Sequence, residues 1–377
     1  MKSILFMSLM NGGAWGGSEE LWFQTALYAA RHGYKVGCAL YDWPQKAERI
    51  EQLRDAGCKL YIFKNRGNDK GSYLERLQHK INKRVVKWYA HRLPLSQYDR
   101  VVINLGYLEI LDHYWKRFFY RLKNYTLLFH VYDDNDHVWE KRKGLLRQWL
   151  LRARHNLFAS DRIKTYLEKE IGIKVPNADT LINPLCFNAP EERMPYPSLH
   201  NGNYLFVMLA TLDTRRKAQD NQVKALSLPK WKERNWQLNL YGGGEDEQKL
   251  RAQVYAADMG NKITVAGHTK DVKGALKGAH LLLQMTHIDA MPLAVMEALA
   301  MGRPMAVSNV GDMPKWVLED VNGWVGKNAS VEGIDATLEK AWQARHHWEE
   351  MGKASFQIFK EKFPPVPEAY LLEQLRR

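Results

Sequence analysis

The chain has 377 residues, of which 45% are hydrophobic and 11% aromatic. These values exclude a disordered, collagen-like or coiled-coil protein, and the length predicts two globular domains. The formal charge is +13; residues 1–188 hold 31 basic against 19 acidic side chains, net +12, and residues 189–377 hold 24 against 23, net +1. A basic half indicates an anionic partner such as a phosphorylated ligand, a membrane surface or nucleic acid, unless the basic face is only solvated.

Cysteine usage and the first residues indicate a compartment. Three cysteines, Cys38, Cys58 and Cys186, cannot form a complete disulfide set, and they are predicted to be buried thiols in a reducing cytoplasm. The apolar run after Lys2 lacks a small-x-small cleavage site, which favours a buried first strand over a signal peptide. No run reaches the roughly 18 apolar residues of a spanning helix. We therefore expect a cytoplasmic protein whose only membrane contact is peripheral, on the inner face of the cytoplasmic membrane.

Short aliphatic runs alternate with helical patterns along the whole chain. They predict strands at residues 3–10, 36–41, 59–63, 100–105, 126–132, 155–159 and 180–185, and again at 203–210, 237–241, 262–266, 280–285 and 304–308. Near-continuous apolar strands separated by helices are typical of parallel sheets covered on both faces. The pattern predicts an α/β protein with two doubly wound, Rossmann-like domains facing each other across a cleft.

A change of composition marks the predicted domain boundary. Pro190, Pro195, Pro197 and Gly202 cluster where neither helical nor strand periodicity survives, so we assign residues 1–188 to the first domain and 189–363 to the second. Prolines 364, 365 and 367 then break a long helical segment. The last helix, within residues 364–377, is predicted to pack back on the first domain. In doubly wound sheets ligands bind beyond the carboxyl ends of strands, so the loops that follow strands are the candidate sites.

A glycine-rich turn follows the first strand. Gly12, Gly13, Gly16 and Gly17 allow positive φ and close backbone approach, and the helix that follows offers unpaired N–H groups to an anion. The spacing is neither GxGxxG nor a Walker motif, so no dinucleotide fingerprint or P-loop is indicated. The turn is interpreted as a phosphate- or sugar-proximal loop, with a simple tight turn as the alternative.

Three consecutive cations follow the first strand of the second half. Arg215, Arg216 and Lys217 lie at a strand end and a helix start, where they suit a diphosphate whose charge must be neutralised. A solvated basic turn is the alternative.

Two carboxylates flank the helix that Pro292 and Gly302 delimit. Asp289 precedes this helix and is first a capping candidate. Glu297 lies inside an otherwise apolar helix, where a carboxylate needs a partner. Ribose hydroxyls would be suitable hydrogen-bond donors to this carboxylate.

Six short stretches, in order, resemble motifs of the retaining GT-B glycosyltransferases of family 4, which use activated sugar donors. The resemblance extends over the whole chain and includes a carboxylate pair eight positions apart. The stretches are Gly16-Gly17-Ser18-Glu19, Asn183-Pro184, Lys217-Ala218-Gln219-Asp220, Gly242-Gly243-Gly244-Glu245, the set Asp289, Pro292 and Glu297, and Asn322-Gly323.

The resemblance implies a role for each matching residue of the second domain. Glu297 would bind the ribose hydroxyls of the donor nucleotide, and Asp289 would contact hydroxyls of the donor sugar. Lys217 would hold the diphosphate. The remaining donor-binding residues implied by the resemblance are Arg215, Arg216, Gly243 and the helix start at Met291, Pro292 and Leu293.

In the first domain, Gly16 and Gly17 would let their loop approach the donor phosphates when the cleft closes. His130 matches a family histidine near the reacting sugar, and it joins Lys217 and Asp289 as a predicted catalytic residue. A histidine at the end of a buried strand can equally be a packing residue, and this alternative stays open.

Two positions depart from the family pattern. Asp289 stands where the family usually has Glu, and Thr211 stands where it has an arginine, so Arg215 or Arg216 must supply that charge. The donor sugar and base are therefore left open. The cations and the helix dipole would stabilise the leaving diphosphate, so no metal and no cofactor is expected. Retention of anomeric configuration is implied by the resemblance alone.

Parts of the sequence are also compatible with two other functions. The acidic run Asp133-Asp134-Asn135-Asp136 could hold a divalent metal, as in a GT-A enzyme, but two doubly wound halves disfavour that fold and capping or solvation is preferred. The basic first half suggests a nucleic-acid-binding protein without transferase activity. We find no zinc-finger spacing or RNP-like strand, so no nucleic-acid partner is expected.

The basic segments 79–93, 114–125 and 145–154 mix Lys and Arg with aromatic and aliphatic side chains. In the first, Ile81, Val85, Trp88 or Tyr89, and Leu93 line one side, which is typical of helices that lie on anionic leaflets. An ordinary sheet-packing helix is the alternative. The sequence thus predicts a glycosyltransferase that moves a sugar from a nucleotide-diphosphate donor to a glycan or glycolipid acceptor, in bacterial surface polysaccharide or lipopolysaccharide assembly.

Overall fold

A computed structural model describes residues 1–10, 15–64, 72–108, 111, 115–133 and 135–376, with the side chains of His79 and Lys83 outside that description. The chain divides into two compact units. The first unit comprises Met1–Pro184 with Pro364–Arg377, and the second comprises Leu185–Phe363. The boundary between the two units thus lies a few residues before the predicted boundary at residue 188. The proline-rich stretch that follows belongs to the second unit.

The first unit contains a parallel sheet with the order β3-β2-β1-β4-β5-β6-β7. Its strands are β1 Ser3–Ser8, β2 Lys35–Asp42, β3 Lys59–Lys64, β4 Arg100–Leu105, β5 Tyr125–Phe129, β6 His155–Phe158 and β7 Ala178–Thr180. Every residue of β1, β4 and β5 is buried, which is why these strands read as continuous apolar runs. The last predicted run, 180–185, is misplaced: β7 lies earlier, and Pro184 could not have donated to a ladder.

Helices separate these strands as predicted. They are α1 Gly17–Arg31, α2 Ala47–Asp55, α3 Tyr73–Ala90, α4 Lys116–Arg121, α5 Glu140–Arg152, α6 Asp161–Ile171 and the C-terminal α16 Pro367–Arg376. Ser72 and Glu75 begin α3 with a reciprocal capping box. Helix α16 packs against α1 and buries Leu371, Leu372 and Leu375.

The second unit contains a parallel sheet with the order β10-β9-β8-β11-β12-β13. Its strands are β8 Tyr204–Leu209, β9 Trp236–Tyr241, β10 Ile263–Gly267, β11 Leu281–Gln284, β12 Met305–Ser308 and β13 Gly323–Gly326. Strand β13 was missed because a glycine stands at each end. A Cβ at Gly323 would lie 2.2 Å from the carbonyl oxygen of Met305, so that position has no room for a β-branched residue.

The helices of the second unit include two very short ones at strand ends. They are α7 Thr214–Lys217, α8 Gln219–Leu226, α9 Pro229–Lys232, α10 Glu247–Ala256, α11 Val272–Gly278, α12 Leu293–Ala300, α13 Met313–Trp316, α14 Val331–Gln343 and α15 Trp348–Lys362. The long helical segment predicted before Pro364 is therefore two helices joined by a 3₁₀ turn at Arg345–His347. Across the described ranges, no helix combines the length and the apolar character needed to span a bilayer.

Large aromatic side chains pack around β8 in the core of the second unit. Phe206 stacks on Trp236 with ring centroids 5.8 Å apart, and Trp342 and Trp348 meet Phe206 at steep angles. Offset and edge contacts of this kind add to the free energy of burial. They fix the strand whose carboxyl end carries the three predicted cations.

The two sheets share one topological feature. Strand order reverses beside β1, between β1 and β4, and beside β8, between β8 and β11. At such a switch point the loops that leave the two strands turn in opposite directions and open a crevice. The architecture is the predicted pair of doubly wound α/β domains, and the switch points direct attention to the loops after β1, β4, β8 and β11.

Replacing Leu375 by Ala tests the packing of α16 on the first unit. Leu375 is fully buried, so we expect a loss of about 2 to 4 kcal/mol in the free energy of unfolding, measured by urea denaturation. Val366→Ala, at a half-exposed position, is the control and should change it by less than about 0.5 kcal/mol. Equal small effects of both would show that α16 is not part of the folded unit.

Candidate functional site

Two strand-end loops of the second unit are joined at the β8–β11 switch point. The Asp213 side chain caps α7 by accepting from the Arg216 N–H, and Ala218 ends α7 in the left-handed region at φ 53°. The Arg216 carbonyl then accepts from the N–H groups of His287 and Ile288, at 2.9 and 3.0 Å. Because these bonds link backbone to backbone, the two loops hold a fixed relative position.

Lys217 and Asp289, two predicted site residues, form an ion pair between these loops. The Lys217 Nζ lies 2.5 Å from the Asp289 Oδ2, and the two side chains are 14% and 13% exposed. Asp289 does not cap α12, for which no side-chain cap bond is formed. The capping alternative is therefore wrong, and the carboxylate instead orients the lysine, since a mostly buried pair is less screened than a surface pair.

Arg215 and Arg216 lie beside this ion pair. Arg215 is exposed and Arg216 partly buried. In the described part of the chain, neither guanidinium has a carboxylate within ion-pair distance. The site therefore carries two positive charges without counter-charges of its own, an arrangement that suits an anion.

Glu297 lies in α12 and is 3% exposed. Burial raises the pKa of its carboxyl group, and its Oε1 accepts a hydrogen bond from the Cys186 N–H at 3.2 Å. The thiol of Cys186 is exposed, so the prediction of three buried thiols is wrong for this residue and right for Cys38 and Cys58. Cys186 is exposed because it belongs to the segment that follows β7, outside both sheets.

The start of α12 differs slightly from the prediction. Pro292 is the N-cap residue rather than the first helical residue, with Leu293 beginning the helix and Met291 preceding it. The Val295 N–H bonds back to the Pro292 carbonyl. The N–H groups of Leu293 and Ala294 have no acceptor inside the helix, as at any helix start.

The three glycines that follow β9 differ in the space around them. A Cβ at Gly242 would lie 1.8 Å from the Ala210 carbonyl oxygen, and one at Gly244 would lie 2.3 Å from that of Leu212. A Cβ at Gly243 would meet no atom within 4 Å. Packing therefore requires the outer two glycines, whereas Gly243, the predicted donor-binding residue, borders open space.

Gly311, in the loop after β12, is a site residue that the sequence analysis missed. It adopts φ 54°, and a Cβ there would lie 1.8 Å from the Ala290 carbonyl oxygen. The Asp312 N–H also donates to Ala290, at 2.8 Å. This loop thus supports the one that carries Asp289. The signal in the sequence was a glycine shortly after an apolar strand, a weak cue on its own.

In the first unit, the glycine turn is only partly described. Residues 11–14, which include Gly12 and Gly13, lie outside the described residues. Gly16 is the N-cap of α1 with an extended backbone, φ −164°, and Gly17 is the first helical residue. Positive φ, the reason given for glycine in this turn, is therefore not what Gly16 requires.

His130 follows β5 and is buried. Burial lowers the pKa of its imidazole to about 3, so the ring is neutral at physiological pH. Its Nε2 lies 2.8 Å from the Asn104 Oδ1, at the end of β4. Asn104 in turn contacts Glu19 of α1. His130 was predicted as a site residue from the sequence, whereas Asn104 and Glu19, which are far apart in the chain, were not.

The acidic run after β5 forms a local turn. Asp136 accepts from the Asp133 N–H at 3.0 Å, and Asp133 accepts from the Asn135 N–H at 2.7 Å; Asp134 lies outside the described residues. Among the residues that the structure describes, no three His, Cys, Asp or Glu side chains are grouped as metal ligands.

Comparisons with known proteins agree with this architecture. Residues 191–357 match the family model described as "Glycosyl transferases group 1". A poly(glycerol-phosphate) alpha-glucosyltransferase of Bacillus subtilis (strain 168) is 23% identical over 161 residues, 42% of this chain and 22% of that protein. Three curated relatives match over 22%, 30% and 33% of their own lengths, so the chain spans less than half of each.

Solved structures match over nearly the whole chain. A glycosyltransferase from Rickettsia africae ESF-5 has a TM-score of 0.75 at 14% identity, covering 99% of this chain and 97% of that one. Anabaena Alr3699/HepE, crystallised with UDP and glucose, has a TM-score of 0.74 at 16% identity, covering 100% and 99%. The fold is therefore GT-B. The family-model match lies within the second unit, Leu185–Phe363.

Gly311→Ala tests whether the loop after β12 supports the Asp289 loop. The added Cβ would be strained at positive φ and would collide with Ala290, so we expect a loss of at least about 2 kcal/mol in the free energy of unfolding, by urea denaturation. Gly243→Ala is the matched control, since its Cβ meets open space, and should change stability by less than about 0.5 kcal/mol. A Gly311→Ala protein as stable as Gly243→Ala would show that the close approach is absent in solution.

Proposed function

We propose that the protein is a retaining glycosyltransferase of family 4 that transfers a sugar from a nucleotide-diphosphate donor to a glycan or glycolipid acceptor. The observation that carries the proposal is the Lys217–Asp289 ion pair at the β8–β11 switch point, flanked by two arginines without counter-charges. A diphosphate supplies the missing negative charge. Glu297, buried eight positions after Asp289, is a matching acceptor for ribose hydroxyls.

The chemistry assigned to these groups is stabilisation of a leaving group. When the bond between the anomeric carbon and the donor diphosphate breaks, negative charge develops on the diphosphate oxygens. Lys217, one of the two arginines and the first N–H groups of α12 would stabilise that charge. The acceptor hydroxyl oxygen forms the new bond to the anomeric carbon, and its proton passes to an oxygen of the departing diphosphate. In this proposal the cations of the chain stabilise the charge that a metal ion stabilises in other transferases. Retention of anomeric configuration is proposed from the family resemblance.

The donor is proposed to be a UDP-sugar, since the Anabaena protein of the same fold forms a complex with UDP and glucose. Asp289 would contact hydroxyls of the donor sugar while Lys217 moves from Asp289 toward the diphosphate. Because Asp is one methylene shorter than the Glu of the family pattern, the contact with the sugar would be longer or would select another sugar. Gly243, which borders open space, would let the donor phosphates approach the backbone.

The acceptor is proposed to be a glycan or glycolipid of bacterial surface polysaccharide assembly. The name of the Bacillus subtilis relative, a poly(glycerol-phosphate) alpha-glucosyltransferase, supports this setting. In this proposal the first unit is the acceptor side, as the basic charge of residues 1–188 suggests, and the second unit binds the donor. A nucleic-acid-binding role has no support among the comparisons.

Lys217→Ala and Glu297→Ala should each abolish most sugar transfer. The first removes the cation from the leaving group and the second removes the ribose acceptor, so losses of about 100-fold in kcat/KM are expected. The measurements are transfer to a lipid-linked acceptor and thermal shift with UDP-, GDP- and ADP-sugars, in which we expect UDP-sugars alone to raise Tm.

Lys224→Ala is the control for charge loss, because Lys224 is half-exposed and pairs only within α8, with Asp220. It should retain wild-type transfer and the wild-type thermal shift. Wild-type rates in Lys217→Ala would overturn the assignment of the diphosphate site.

The proposed glycolipid acceptor gives helix α3 a role at a membrane. Five apolar side chains on one side of α3 are exposed, among them Ile81 at 52% and Trp88 at 53%. These five side chains follow one another at helical spacing and are Leu74, Leu77, Ile81, Val85 and Trp88. The interpretation of α3 as an ordinary sheet-packing helix therefore does not account for this side.

The opposite side of α3 does the packing. Asn82, Val86 and Ala90 are buried, and Leu93, which the sequence analysis placed with the apolar stripe, is also buried, beyond the end of the helix. In the described part of α3, no basic side chain pairs with a carboxylate. The basic side chains that border the stripe are Arg76, Lys80, Arg84 and Lys87.

An exposed apolar stripe bordered by unpaired cations is complementary to an anionic leaflet. Arg92 adds a further cation beside the stripe, since its guanidinium lies 3.8 Å from the centroid of the Trp88 ring. We therefore propose that α3 docks on the anionic inner face of the cytoplasmic membrane, close to a lipid-linked acceptor.

The double variant Ile81→Glu/Trp88→Glu should lose flotation with phosphatidylglycerol vesicles while its Tm stays unchanged, because both side chains are exposed. Wild-type protein should float with these vesicles and not with phosphatidylcholine, and flotation should weaken as salt is raised. Tyr255→Glu, an exposed aromatic position of the second unit, is the control and should float like wild type. Failure of the wild-type protein to bind anionic vesicles would refute docking.

A further inference from the structure

A buried polar network links four elements of the first unit to His130. Glu19 of α1 lies at its centre and is fully buried. The Glu19 network comprises Ser8, Glu19, Lys46, Asn104 and His130. The hydrogen-bonded partners in this network lie 11 to 85 positions apart along the chain, and they meet at the carboxyl ends of β1, β4 and β5.

The carboxylate of Glu19 has three donors. Its Oε1 accepts from the Ser8 hydroxyl at 2.8 Å and from the Asn104 Nδ2 at 2.9 Å. Its Oε2 lies 3.4 Å from the Nζ of Lys46, which is also fully buried and supplies the counter-charge. A carboxylate paired with lysine can only accept hydrogen bonds, so the atom of Asn104 that faces it must be the amide nitrogen.

The orientation of Asn104 determines the proton position on His130. With the Asn104 Nδ2 toward Glu19, its Oδ1 faces the His130 Nε2 at 2.8 Å. An amide oxygen can only accept, so Nε2 must carry the proton, and in a neutral ring Nδ1 must carry the lone pair. The opposite tautomer would bring two lone pairs together inside the protein, where such repulsion is poorly screened.

We propose that Glu19 and Asn104 are positioning residues that hold His130 as its Nε2–H tautomer and so present Nδ1 as a hydrogen-bond acceptor for a hydroxyl of the substrate. The use of Nδ1 rests on the proposed function and on the family resemblance, which implies that His130 lies near the reacting sugar. The tautomer itself follows from the network alone. Lys46 anchors the network through Glu19 and has no other role in it.

The test is a long-range ¹H–¹⁵N correlation spectrum of the ligand-free protein labelled with ¹⁵N-histidine, which distinguishes the two neutral tautomers. The His130 signals are assigned by their loss in His130→Gln. Wild-type protein should show His130 as Nε2–H between pH 6 and 8. Observation of the Nδ1–H form in wild-type protein would overturn the proposal without recourse to any variant.

Two variants remove the constraint at different points. Asn104→Leu removes the acceptor at similar volume, and Glu19→Gln removes the carboxylate that orients the amide, so each should yield a mixture with substantial Nδ1–H. Ser8→Ala is the matched control: it removes one hydrogen bond to Glu19 but leaves Asn104 oriented, and should keep the wild-type tautomer. An unchanged tautomer in whichever of the two variants folds would contradict the proposal.

An activity measurement separates positioning from general damage. Asn104→Leu should lower kcat by about tenfold with the donor KM unchanged, the loss expected for one hydrogen bond to the substrate. The double variant Asn104→Leu/His130→Gln should lose no more than His130→Gln alone. If wild-type protein transfers no sugar, the proposed function fails, whereas the spectra still decide whether the network sets the tautomer.

Discussion

The adjacency of β8 and β11 in the second sheet is the constraint on which the candidate donor site depends. These strands are distant in the chain, yet Leu281 pairs with Phe206, so their carboxyl ends lie side by side. One strand delivers Lys217 and the other Asp289. Had β11 been added at the far edge of the sheet, the same residues would lie several strand spacings of about 4.8 Å apart and could not pair. Topology, more than any single motif, creates this site.

Much of the fold was predictable from the sequence. Parallel strands that are buried on both faces must be apolar throughout, and such apolar runs are easy to recognise. Lys217, Asp289 and Glu297 were recognisable because charged residues at strand ends or inside apolar helices need partners. Their pairing was not, since it depends on strand order. Gly311 and Asn104 escaped detection for the same reason: each acts on a loop or side chain that only the folded sheet brings near.

Charge is organised differently in the two units. In the second unit several cations pair with carboxylates: Arg234 makes two hydrogen bonds to Glu339 and lowers the pKa of that carboxyl to about 2. Arg215 and Arg216 have no carboxylate within ion-pair distance among the described residues, a property they share with other cations of this unit, and they differ from those in lying at a strand end beside the Lys217–Asp289 pair. Among the described residues of the first unit, only Lys46 is a fully buried cation that pairs with a fully buried carboxylate. The described exposed cations of α3 have no carboxylate partner. The net charge of a half therefore does not locate its site, whereas the position of its cations relative to the strand ends does.

The two sites also differ in what they must do before a substrate arrives. Asp289 holds Lys217 through a contact that a diphosphate can replace, because the pair is partly accessible and the lysine has a flexible stem. The Glu19 network has no such freedom: its carboxylate and lysine are fully buried, and breaking a buried pair leaves a charge that nothing solvates. The first arrangement can release a cation to its ligand, whereas the second can only maintain a proton position. In the proposed function, donor capture therefore belongs with the exchangeable pair, and orientation of a neutral imidazole belongs with the fixed one.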